Sequence, residues 1–228
     1  MRSMQKQLST FVIVIGISFP VFAEGPMVTD DAGTLDQRGM KVEGVWSKDD
    51  KTKGGELLFG FSPLENLELE VAVARARDDA FKANAIGFGA KWVPYQNDTG
   101  WSLGARFDHG RARVTERVTS DKFTEREYAL TGLASYRLEN GQVLHLNLGA
   151  ARIKAQGESD TVGTWGAGYE FPLDEKLQLT VEAYGEEHVL PDKAIGLRYE
   201  ILDGFKVYAS VGRGNDRSFG QVGLAWEF

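Results

Sequence analysis

Residues 217–228 read Arg-Ser-Phe-Gly-Gln-Val-Gly-Leu-Ala-Trp-Glu-Phe. From Val222 onward, Val222, Leu224, Trp226 and Phe228 alternate with Gly223, Ala225 and Glu227, the period of two expected of a strand with one apolar face and one small or polar face. The same alternation recurs upstream, in twelve segments at residues 38–48, 54–62, 66–75, 82–93, 100–109, 122–138, 142–153, 161–171, 176–185, 193–201, 204–212 and 217–228. Most have the ~9 to 11 residues that a tilted strand needs to cross a bilayer. An even number returns the chain to the side on which it entered. The predicted fold is all-β, a transmembrane antiparallel up-and-down β-barrel of about 12 strands.

The connections fall into two alternating populations. After even segments come tight turns rich in Pro, Asn and Gly, such as Glu139-Asn140-Gly141 and Leu202-Asp203-Gly204, suited to a periplasmic rim. After odd segments come more charged and in places longer stretches, including 49–53, 110–121 and 186–192, which belong outside the cell. Aromatic residues on the apolar face gather near the segment ends. Phe61, Trp92, Trp101, Tyr136, Phe171, Tyr199, Phe205, Trp226 and Phe228 are expected in a periplasmic girdle, with Trp46, Phe107, Tyr128 and Trp165 nearer the outer interface. The terminal stretch resembles the insertion signal read by the barrel-assembly machinery of Gram-negative outer membranes. On that resemblance Val222, Leu224, Trp226 and Phe228 form the signal, and the machinery is a partner during insertion.

The other end of the chain reads as a secretory leader. Arg2 and Lys6 precede an apolar run from Phe11 to Phe19, and Val21-Phe22-Ala23 resembles a signal-peptidase site. Cleavage is expected after Ala23, leaving residues 24–37 as a periplasmic lead-in and 38–228 as the barrel, located in the outer membrane. No later run is long and apolar enough for a membrane helix. The chain has no Cys, so neither disulfides nor thiolate metal sites are available. The formal net charge is −7, and loss of Arg2 and Lys6 with the leader would make it more negative, which argues against nucleic acid. Mean hydropathy is −0.29, compatible with a barrel in which only alternate residues meet lipid.

Residues 26–34 read Pro-Met-Val-Thr-Asp-Asp-Ala-Gly-Thr. This stretch resembles the opening of the phenol-degradation meta-pathway outer-membrane protein family, in which a Pro-Leu-Val-Thr-Asp-Asp-like segment precedes the first strand; Met27 stands where Leu is expected. The resemblance implies passage of a small, apolar or aromatic molecule. Read from the residues alone, Asp30 and Asp31 make a solvated turn.

The polar face of the segments then lines the interior. Glu68, Glu70, Lys91, Arg106, Asp108, Arg137, Glu182, Arg198 and Lys206 are the expected lumen-lining selectivity residues. Charges in so narrow a space must pair or stay wet. Twelve strands lie between the filled barrel of eight and the open pore of sixteen, so the interior is either a narrow or gated passage or a salt-bridged fill. Two functions follow: passive, channel-type transport of a small molecule, or a non-conducting structural or surface-binding barrel acting through extracellular loops. An enzyme is not expected. If 139–141 is a three-residue hairpin loop with Gly141 left-handed, Ser135 lies opposite His145 with Asn147 nearby, the residue types of a lipid hydrolase, but that register points them into the lumen. His109 and His188 are isolated in outer loops, so no metal or other cofactor is implied. Arg111, Arg113 and Arg117 form an extracellular basic loop, read either as a basic hairpin, with Lys122 and Arg126, that extends the fifth and sixth strands above the membrane or as a solvated stretch neutralised by Glu116, Asp121, Glu125 and Glu127. Outer-membrane lipid and lipopolysaccharide are the surrounding partners.

Overall fold

The structure, a computed structural model, describes residues 25–228. The leader and the cleavage site after Ala23 lie outside the described residues. Twelve strands follow one another: β1 (Met40–Asp49), β2 (Lys53–Leu64), β3 (Leu67–Arg77), β4 (Phe81–Tyr95), β5 (Gly100–Glu116), β6 (Lys122–Arg137), β7 (Val143–Ala155), β8 (Glu158–Pro172), β9 (Leu177–Glu186), β10 (Asp192–Leu202), β11 (Phe205–Gly214) and β12 (Arg217–Glu227). Each pairs antiparallel with its sequence neighbours, and β1 pairs with β12 to close the barrel. At the seam Val42 faces Trp226 and Gly44 faces Leu224, and Met40 and Phe228 exchange backbone hydrogen bonds of 2.8 and 2.9 Å. Closure leaves no unpaired strand edge, a condition for a sheet to sit in hydrocarbon.

The alternation read from the sequence becomes an inside and an outside. On β3, Val71, Val73 and Arg75 are exposed, while Glu68, Glu70 and Ala72 are buried. On β4, Ile86, Phe88 and Trp92 face outward and Ala83, Ala85 and Lys91 inward. Leu57, Leu130, Leu148, Ile195, Leu197 and Val211 continue the apolar outer belt. Trp101 packs edge-on against Tyr136, with ring centroids 5.0 Å apart, near the rim where the barrel's first strand starts and its last ends. That rim is called the terminal rim below, and the opposite one the far rim.

Several strands run longer than the apolar pattern predicts. β5 continues past His109 to Glu116, through most of the stretch between the fifth and sixth expected segments, pairing Arg111 with Arg126 and Arg113 with Thr124 on β6, which starts at Lys122 as expected. Arg111, Arg113 and His109 are therefore strand residues, and of the expected basic loop only Arg117 lies in the 117–121 connection. The polar residues here still alternate with inward Ala112 and Val114, and a hydrogen-bonded hairpin needs that period rather than lipid contact. No far-rim connection exceeds the five residues of 117–121 or 187–191, so the expected long outer loops are short turns. At the terminal rim the 139–141 loop forms as expected: Gly141 has φ 81°, and the Leu138 N–H bonds the Gln142 carbonyl at 2.9 Å.

Candidate functional site

Residues 25–35, expected in the periplasm, run instead inside the barrel. From β1 the chain turns up at Gly39 and follows the inner wall past β3, β6, β7, β8 and β9 to β10, β11 and β1, almost a full circuit. Its backbone has no strand partner, and a buried backbone polar group without a partner is costly. Lumen side chains supply the partners. The Leu35 N–H bonds Glu68 at 3.1 Å, and the Ala32 N–H bonds Ser135 Oγ at 2.8 Å. Asn147 accepts from the Asp30 N–H at 2.7 Å and donates to the Asp30 carbonyl at 2.8 Å, so one side-chain amide satisfies both backbone groups. Glu182 accepts the Val28 and Thr29 N–H groups at 2.9 and 2.8 Å. At the end of the circuit Arg198 donates to the Gly25 carbonyl at 2.7 Å, and Glu43 takes the Gly25 N–H at 3.3 Å and the Tyr208 hydroxyl.

The segment's two carboxylates complete a line of alternating charge. Lys41 bridges Glu68 and Glu70 at 3.0 and 2.8 Å. Glu70 pairs with Arg106, which also holds Asp108 at 2.8 Å and Asp30 at 3.1 Å. Lys91 reaches Asp30 and Asp31 at 3.1 and 3.0 Å, and Arg137 reaches Asp31 at 3.2 Å. Burial pushes the Asp31 carboxyl up, but the Lys91 charge, helped by His145 and Arg137, outweighs it and holds the group well below the usual carboxylate range. Asp30 and Asp31 are thus clasped by the wall and do not form the solvated turn read from their local sequence.

Glycines make room for the segment. A Cβ at Gly196 would lie 2.6 Å from the Pro26 ring, and one at Gly166 2.9 Å from the Thr29 hydroxyl. The lumen wall is small where the segment is bulky, the complementarity of a built docking groove.

Of the nine expected lumen residues, Glu68, Glu70, Lys91, Arg106, Asp108 and Arg137 meet in this one network. Glu182 and Arg198 hold the far end of the segment; Arg198 also pairs with Glu170 at 2.9 Å. Lys206 pairs with Glu227 at 3.1 Å, apart from them. Sequence reading missed Lys41 and Glu43, although both alternate with Val42 and Gly44. It also placed Asp30 and Asp31 outside the barrel, because nothing local to a polar stretch reveals a tertiary partner. Val222, Leu224, Trp226 and Phe228 all point outward from the seam.

Ser135 does lie opposite His145, with Oγ 2.8 Å from Nδ1, and His145 Nε2 is 3.8 Å from Glu170. Ser135 is fully buried beneath Ala32, whose N–H its oxygen accepts. The strand's lipid-facing side is the opposite one, so an ester in the membrane has no route to this hydroxyl. Among the described residues no group of three His, Asp or Glu is placed to hold a metal.

Above the segment, toward the far rim, the inner wall changes character. Ala83, Ala85, Ala112 and Val114 form an inward apolar cluster, with Phe81 and Phe123 packed on it.

A closed barrel with an apolar outer belt and a polar interior defines an outer-membrane β-barrel. The family model described as uncharacterised conserved protein UCP029691 matches residues 12–219, and the chain belongs to that family. Its description differs from that of the phenol-degradation family resembled by residues 26–34. No curated protein matches the sequence. Among solved structures, the KdgM porin in complex with disordered oligogalacturonate is similar over 82% of this chain and 99% of its own, with 15% identity and a TM-score of 0.63. The translocator domain of the autotransporter NalP from Neisseria meningitidis covers 86% of this chain and 89% of its own, at 15% identity and a TM-score of 0.61. Outer membrane phospholipase A from Escherichia coli covers 82% and 89%, at 10% identity and a TM-score of 0.52. At these identities the likeness establishes the fold.

Proposed function

We propose that the protein is a channel-type barrel of the outer membrane whose passage is gated by residues 25–35. The observation that carries this reading is the clasp of Asp30 and Asp31 by Lys91, Arg106 and Arg137. The lumen cations that would otherwise meet a solute are occupied by a segment of the same chain. That segment enters from one rim and has no strand hydrogen bonds to break, so it can leave without disturbing the barrel. Passage is passive, set by the lumen once the segment withdraws. Porins among the similar structures support a passage. The apolar wall around Ala85, Val114, Phe81 and Phe123 supports a small apolar or aromatic solute, as does the resemblance of residues 26–34 to the phenol-degradation family. The stretch carrying that resemblance is the docked segment itself.

The test uses the absence of cysteine. Ala32→Cys with Ser135→Cys places two thiols where a 2.8 Å hydrogen bond now joins the residues. In planar bilayers the refolded double variant should be silent when oxidised and show discrete conductance steps after reduction. Folded protein that never conducts when reduced would overturn gating. It would leave the second reading, a non-conducting structural or surface-binding barrel, which the extensive pairing of lumen charges favours.

A further inference from the structure

The outward face of the barrel carries a charge pattern that neither the lumen nor gating uses. On β5, Arg111 and Arg113 point outward, on β6 Arg126, and on β7 Arg152 and Lys154; all five are exposed. The register sets them side by side. Arg111 lies directly opposite Arg126, and Arg126 directly opposite Lys154, a row of three cations across three adjacent strands. Like charges directly opposite one another on one face of a sheet destabilise it. No Asp or Glu occupies an outward position on these strands; Glu125 and Glu127 point inward. Among the described residues none of the five cations forms an ion pair. The Arg152 guanidinium bonds the Ser159 hydroxyl at 3.3 Å, and the Lys154 ammonium sits 5.5 Å from the Tyr128 ring centre.

The row has a fixed height. Immediately below it, toward the middle of the barrel, the same outward faces carry Tyr128, stacked on His109 at 4.6 Å, then Leu130 and Leu148, the latter 75% exposed. Tyr at a membrane interface marks the level of the headgroups, so the cations stand at headgroup height. Arg126, Arg152 and Lys154 border an open recess of about 420 Å³ beside the 156–157 turn, which Glu158 also lines.

We propose that this face binds the phosphate-bearing headgroup of an outer-leaflet lipid, its phosphates neutralising the Arg111–Arg126–Lys154 row and its acyl chains lying on Leu130 and Leu148. A lipid fits better than a free anion, because the side chains project from the barrel wall directly above the apolar belt and away from the lumen. The inference rests on the membrane placement and not on gating, so a failed conductance experiment leaves it standing, and its own failure leaves gating untouched.

The test is binding of purified lipopolysaccharide to the refolded full chain in neutral detergent. It compares wild type, Arg126→Gln/Lys154→Gln and the control Arg38→Gln/Lys176→Gln, two exposed cations at the terminal rim, at the opposite end of the barrel from the row. Each cation near an anionic lipid surface is worth about fivefold in affinity, so the first double variant should bind about 25-fold more weakly and the control as wild type. Without lipopolysaccharide the first variant should be at least as heat-stable as wild type, since repulsion has been relieved; a merely structural role predicts the opposite. Heat-modifiable mobility on gels checks folding, and Arg113→Gln/Arg152→Gln serves in its place if the first pair fails to fold. Undiminished binding by both of these variants, or an equal loss in the control, would overturn the site. So would competition by inorganic phosphate at concentrations matching the lipid, which would assign the face to free anions.

Discussion

Replacing Asp30 by Asn keeps the side chain's size but removes the charge that two buried cations share. Leaving a buried charge wholly uncompensated costs about 3 to 5 kcal/mol. Here the cations retain other partners. Lys91 keeps Asp31 at 3.0 Å, and Arg106 keeps Asp108 at 2.8 Å and Glu70. The backbone clamp by Asn147 also survives, so the docked segment should lose about 2 kcal/mol, or about thirtyfold in its docked-to-released ratio. Adding Asp31→Asn removes the second carboxylate from Lys91 and the partner of Arg137. The loss should then approach about 4 kcal/mol, on the order of a thousandfold. Open probability in planar bilayers should rise in that order. Amide exchange at Val28 and Thr29 should speed up in parallel, because their acceptor Glu182 lies elsewhere on the wall and reports release of the whole segment. Two variants that fold as barrels yet keep wild-type open probability and wild-type exchange would refute the reasoning.

Three further outcomes follow from the same geometry. Since the docked Asp31 carboxyl titrates below its ordinary range, its contribution to docking is fully present above about pH 4 and fades as acid protonates it; conductance should rise as the pH falls below about 4, and less so in Asp31→Asn, which has no such carboxyl to protonate. Gly196→Ala pushes a methyl into the Pro26 ring and close to the Ala209 carbonyl, an overpacking worth about 1 to 3 kcal/mol, visible as easier protease cleavage within residues 25–35 while barrel mobility on gels stays unchanged. Ser135→Ala leaves the buried Ala32 N–H without an acceptor, at about 1 to 3 kcal/mol; it should loosen the segment, and phospholipid hydrolysis measured with wild type and variant should be the same background value.

The architecture was legible in the sequence because a lipid-facing strand writes its environment into every second residue. Val71, Val73, Ile86, Phe88, Leu146 and Leu148 needed no tertiary knowledge to be placed on one face. The 139–141 turn, and with it the Ser135–His145 pairing, followed from Gly141 at a position that favours positive φ. Strand ends were less legible. Above the membrane Arg111 and Arg113 keep the period of two but lose the hydrophobic contrast that makes it visible, so the fifth segment read as ending at His109 and its continuation as a basic hairpin stood only beside the loop reading.

Which residues share a face is thus a local property, written in period and composition, and the leader, the aromatic girdles, the alternating connections and Phe228 together indicated that the polar face is the inner one. What that face meets is not local. Lys91 and Arg106 are far along the chain from Asp30, and only closure of β1 onto β12 brings a polar leading segment within reach of a ring of complementary side chains. The sequence alone determined a twelve-stranded barrel with a charged interior. The tertiary structure decided that this interior is occupied by the chain's own residues 25–35, because hydrogen bonds and ion pairs between distant segments exist only once the wall is closed around them.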